Sequence, residues 1–117
     1  MNISINKNQF KVKVMITPRD TKKGMMGRKF DSDFNGMLFL MKGDEQCFWM
    51  KNCITPLDII MISDNSITEI HNNCQPCESD DCESYCGEGD VVLELPGGTC
   101  KKLGIQIGDE VNFNPIR

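Results

Sequence analysis

At 117 residues the chain is long enough to bury roughly two-thirds of the surface it would expose when unfolded, so a single domain over residues 1–117 is expected, with no need of disulfides to fold. Lys and Arg total 13 and Asp and Glu total 17, leaving a net charge of −4; a phosphate-backbone binder carries the opposite balance, so no nucleic-acid partner is expected. No run of about 18 apolar residues occurs, so no helical membrane span is expected.

The opening MNISINKNQF has no basic segment followed by an apolar core and does not read as a secretory leader, which points to the cytoplasm. Seven cysteines are many for so reducing a compartment. Residues 10–16 alternate apolar and basic side chains, with Phe10, Val12 and Val14 on one face of a half-buried strand. Thr17-Pro18-Arg19-Asp20 then has the form of a helix start, with Thr17 as N-cap and Pro18 at the first helical position. The helix is expected to run to about Met26 and stop at Gly27. Asn35-Gly36 turns the chain into residues 37–41, whose unbroken apolar character predicts a strand covered on both sides. After Lys42-Gly43-Asp44-Glu45 the chain is expected to return as the second arm of a hairpin.

That arm opens the stretch CFWMKNCITPLDIIMI, residues 47–62, which holds the single tryptophan. Two extended runs flank Thr55-Pro56: Phe48 and Met50 share one face of the first, and Leu57, Ile59 and Met61 one face of the second. The indole of Trp49 is expected to be hidden in the middle of the molecule. Residues 67–71 resume alternation, whereas residues 72–90 are rich in Cys, Glu, Asp and Gly and read as a cysteine-rich loop or insertion. Residues 91–95 are strand-like, Thr99 can cap one helical turn ending at Gly104, and residues 105–113 read as two short strands around Gly108-Asp109. The total, about seven short strands and two short helices, predicts a mainly β (α+β) fold, a small antiparallel barrel or sandwich.

Six segments in order carry a resemblance: TPRDTKKGMMGR (17–28), GMLFLM (36–41), FWMKNCITPLDIIMI (48–62), EIH (69–71), VLELPGGT (92–99) and LGIQIGDEV (103–111). Over about residues 11–113 the chain resembles the family called domain of unknown function 192. The resemblance implies a compact, mainly β domain of bacteria, archaea and some viruses, with no established activity and with members that are often exported. The four-cysteine loop is richer in cysteine than the typical member.

Polar residues inside the apolar blocks are the candidates for function. Arg28, Lys51, Asn52, Asp58 and Glu94 fall on positions matching the family pattern, with Trp49 beside them. As a pocket, Arg28 or Lys51 would hold an anionic group, Asn52 would orient it, and Asp58 or Glu94 would accept a proton. As structure, Arg28 would pair with Asp58 or Glu94 and Asn52 would satisfy a turn. The expected function is a small accessory or binding module for a protein partner or small ligand; the alternative is a small enzyme using Asp58 or Glu94 as base beside Arg28. His71, the single histidine, is expected at a sheet margin. Met25, Met26, Met37, Met41, Met50 and Met61 serve packing or line a soft surface.

Cys74, Cys77, Cys82 and Cys86 lie within 13 residues. Four thiolates can hold one tetrahedral zinc, but Glu78, Asp80, Asp81 and Glu83 crowd an already negative site. Disulfides, with Cys77–Cys82 as one closure, and free thiols are the other readings. Cys47, Cys53 and Cys100 are expected as small core residues.

Overall fold

Side-chain alternation sorts this chain onto the two faces of one sheet. In the computed structural model, which describes residues 1–114, the elements are β1 (Asn2–Ile5), β2 (Asn8–Met15), α1 (Pro18–Lys23), β3 (Gly36–Leu40), β4 (Glu45–Trp49), β5 (Leu57–Ser63), β6 (Ser66–Cys74), β7 (Ser84–Glu88), β8 (Val91–Pro96), α2 (Thr99–Leu103) and β9 (Val111–Asn114). Seven strands form a sheet in the order β6-β5-β8-β3-β2-β1-β9, while β4 and β7 make a separate ribbon. The neighbours β2 and β3 run parallel, joined by the crossover that contains α1, and the other pairs are antiparallel. A bridge between Ser66 and Glu110, with Val111 N–H donating to the Asn65 carbonyl at 2.8 Å, brings the two ends of the sheet together at one rim. The sheet therefore curls into a half-barrel.

Its concave side is filled by one apolar cluster drawn from all seven strands, including Ile3, Phe10, Leu38, Ile60, Ile67, Leu93 and Val111. The convex side carries a second cluster, in which Met37, Phe39, Leu57, Ile59, Met61 and Val92 meet Met25 and Phe34 from the β2–β3 crossover. With both faces covered, β3 and β5 read as unbroken apolar runs instead of alternating ones.

Several local expectations change. Helix α1 keeps its Thr17 cap, whose hydroxyl accepts from Asp20 N–H at 3.1 Å, but it ends at Lys23. Gly24 terminates it at φ +45°, pressed so close to Phe39 that an added Cβ would lie 3.2 Å from the ring. Strand β4 is not the return arm of a hairpin with β3, because β2 and β8 already occupy both edges of β3. It pairs with β7 instead, inside the segment expected to be loop. Parity along β4 then turns Gln46 and Phe48 inward and Cys47 and Trp49 outward, and the indole is 48% exposed, not central. At the carboxyl side only β9 forms: residues 105–110 are a turn closed by Gln106 N–H donating to the Asp109 carboxylate at 2.7 Å.

Candidate functional site

The register of β5 against β8 decides where the two central carboxylates point. Ile59 stands opposite Glu94 and Asp58 opposite Leu95, so Asp58 and Glu94 project from opposite faces of the sheet. They cannot share a site.

Asp58 is fully buried on the concave side, where backbone N–H groups occupy both its oxygens: Asn73 at 2.7 Å and Gly98 at 3.0 Å on Oδ1, and Cys100 at 2.8 Å on Oδ2. It supplies the cap that Thr99 was expected to give to α2, where the N-cap position is Gly98 and Thr99 Oγ1 donates to the Pro96 carbonyl at 2.6 Å. A carboxylate satisfied by three amides is a structural clamp.

Glu94 is in the opposite condition. It is 3% exposed on the convex side, and no described residue gives it a hydrogen bond or an ion pair. Since, among the described residues, no polar side-chain atom is sealed away without a partner, the carboxyl keeps its remaining contact through an opening. That opening is a cleft of about 210 Å³ between α1 and β4. Thr21, Lys22, Lys23 and Gly24 form one wall, Cys47, Phe48 and Trp49 the other, and Met26, Phe39, Met41, Lys51, Cys53 and Glu94 complete the lining. Phe39 and Phe48 meet edge to face at 4.9 Å between ring centres, which fixes the base of the β4 wall. Burial pushes the Glu94 carboxyl up to about 8, so it is mostly uncharged at neutral pH. Burial, and then the nearby Glu94 charge, pushes the Cys53 thiol to about 11.

Of the residues singled out from sequence, the cleft thus brings together Trp49, Lys51 and Glu94. Lys51 is already engaged, since its ammonium donates to the carbonyls of Glu78 at 2.9 Å and Ser79 at 2.6 Å and sits 3.2 Å from Asp80. Asn52 adopts φ +60° in a turn, with its carbonyl accepting from Gly27 N–H and its N–H donating to the Cys77 carbonyl. Arg28 is half-buried and is not part of the cleft lining, and among the described residues it pairs with neither Asp58 nor Glu94. His71 lies on β6, the edge strand, with Nε2 2.8 Å from the Cys86 carbonyl and its ring against Tyr85. Among the methionines, Met26 and Met41 reach the cleft, whereas Met25, Met37, Met50 and Met61 are buried. Lys22, Lys23, Phe39 and Phe48 were not anticipated. The β4 alternation could have exposed Phe48, but nothing local tells α1 to stand across from β4.

The cysteines sort by fold, not by sequence run. Cys77 and Cys82 are at bonding distance with Cα atoms 6.0 Å apart, and so are Cys47 and Cys86, partners across the β4–β7 ribbon with Cα atoms 4.0 Å apart. Cys47 is therefore exposed and paired, not a core residue, while Cys53, Cys74 and Cys100 are free and buried. Four thiolates around one zinc do not fit this arrangement, and among the described residues no three His, Cys, Asp or Glu side chains are gathered as a metal site.

The curled, mainly β half-barrel is the fold class of this chain. The chain belongs to the family DUF192, described as an uncharacterized ACR, which matches residues 1–113. Two solved structures share the fold at a TM-score of 0.83 and 30% sequence identity. One is a protein of unknown function from Novosphingobium aromaticivorans, matched over 96% of this chain and 84% of that one. The other is a candidate transcription regulator from Sinorhizobium meliloti, matched over 95% and 91%. No curated protein matches.

Proposed function

We propose that this protein is a small accessory binding module whose ligand seat is the cleft between α1 and β4. A single observation carries the reading: Glu94 is buried, has no partner among the described residues, and lines that cleft. A carboxyl left in this condition costs stability, and a bound group that completes its hydrogen bonds offsets the cost. Trp49 and Phe48 supply broad apolar contact area at one wall. Catalysis by Asp58 or Glu94 beside Arg28 draws no support, since the two carboxylates face apart and Asp58 is saturated by amides.

In this reading the segment 72–90 is a flap stapled by Cys77–Cys82, tied to the cleft by Lys51 and to its β4 wall by Cys47–Cys86. Two such staples suit an oxidising compartment better than the cytoplasm. Amide chemical shifts, recorded while a set of single-ring compounds of differing charge is added, test the seat. Shifts clustered at residues 21–24 and 47–49 are expected; no clustered response to any of them overturns the proposal.

A further inference from the structure

The cleft's chemistry narrows what it takes. We propose that the group seated against Glu94 is an uncharged planar donor–acceptor pair, a carboxamide, carried on an aromatic or aliphatic body. This deepens the binding reading above and rests on it.

Three observations converge on that class. First, Glu94 is the only carboxylate in the lining, it is 3% exposed, and it lacks a hydrogen-bond partner among the described residues. An uncharged carboxyl presents an O–H donor beside a carbonyl acceptor, and a carboxamide presents an acceptor beside an N–H donor at matching separation, so two antiparallel hydrogen bonds satisfy both groups. Second, Met26, Phe39, Met41, Phe48 and Trp49 offer apolar and aromatic surface, so the remainder of the ligand is apolar. Third, the charged groups of the lining argue against an ion at the floor. Lys22, Lys23 and Lys51 oppose a cationic ligand. An anion placed beside Glu94 would have to share its proton, as two carboxylates in one site do.

Protonation follows from the same surroundings. The titratable groups around Glu94 are Lys22 and Lys23 of α1 and Lys51, held by the 78–80 segment, in the cleft lining, with the buried thiols of Cys53 and Cys74, pushed to about 11 and uncharged at neutral pH. Glu94 is thus the titrating member near neutrality, and its O–H donor is lost as pH rises through about 8.

Benzamide, benzoate and benzylammonium share one ring and differ in the polar head, so they serve as the probes. Amide shifts of the cleft and emission of the sole tryptophan, Trp49, report binding to the intact protein. Benzamide is expected to bind at least about tenfold more tightly than either ion at pH 6.5, the difference that one satisfied buried hydrogen bond makes. Its affinity is expected to fall between pH 7 and pH 9. The variant Glu94→Gln, which keeps a donor beside an acceptor, should retain benzamide with no pH dependence, and Glu94→Leu should lose it while still giving a native amide spectrum. Preference for benzylammonium or benzoate, or equal binding of all three, overturns the carboxamide assignment and leaves the binding reading standing. Failure of all three to perturb the cleft sinks both.

Discussion

At the scale of single residues, two acidic side chains buried to almost the same extent have opposite fates, set by what each one touches. Asp58 is surrounded by amide donors, whereas no described donor reaches Glu94. The difference has a measurable sign. The Glu94 carboxyl ionises near 4.5 when unfolded and near 8 when folded, so its contribution to stability is fully present below pH 4.5 and is lost as pH rises through about 8. In Glu94→Gln that loss disappears. Urea midpoints should therefore move in favour of the variant between pH 6 and pH 9, by about 2–3 kcal/mol; parallel curves for the two proteins would mean that the carboxyl is solvated. Glu94 was visible in the sequence as a polar residue within an apolar strand. Its lack of a partner was not visible, because that depends on α1 and β4, which are distant along the chain.

Among the elements, the strands of the main sheet were the most legible. Residues 10–16, 37–41, 57–62 and 91–95 carried strong apolar patterns, and all but Ile16 and Met41, each one step past a strand end, lie in strands. The ribbon of β4 and β7 was harder, since Ser84, Cys86 and Gly87 dilute any alternation and β7 takes its stability from a partner 39 residues away. The opening strand β1 was missed too: it spans four residues and turns into β2 through Asn6 and Lys7, both at positive φ. The ribbon is closed onto β8 by Gly89 at φ +144°, where an added Cβ would strike the carbonyl of Ile62. Gly89→Ala should therefore cost about 2–4 kcal/mol through strain and overpacking. Thermal melting measures the loss, and amide exchange should place it in β7. An unchanged melting temperature would mean that this turn relaxes freely.

For the molecule as a whole, the cysteines make the clearest claim, because their partition between pairs at bonding distance and buried thiols follows from the assembled fold and not from spacing. The run 74–86 suggested one shared site, yet Cys86 finds Cys47 across the ribbon and Cys74 is enclosed under the sheet. Burial holds the free thiols of Cys53, Cys74 and Cys100 at about 11, 11 and 12, far from the reactive thiolate at neutral pH. Iodoacetamide at pH 7.5 should leave the native protein unmodified. Unfolded without reductant, it should take up three adducts, and after reduction seven, as counted by mass spectrometry. Seven adducts without reductant would remove both staples.

Strand β8, like β3 and β5, stands between the two apolar clusters. β8 sends Leu93 and Leu95 into the curl, Val92 into the convex-side cluster and Glu94 to the cleft, so each step along it changes which side of the sheet the side chain furnishes. Retuning the cleft by sliding β8 would empty the curl. Adaptation to a new occupant is thus confined to every second position here, and a saturation scan should return a two-beat rhythm of tolerance, permissive on one side of the wall and strict on the other.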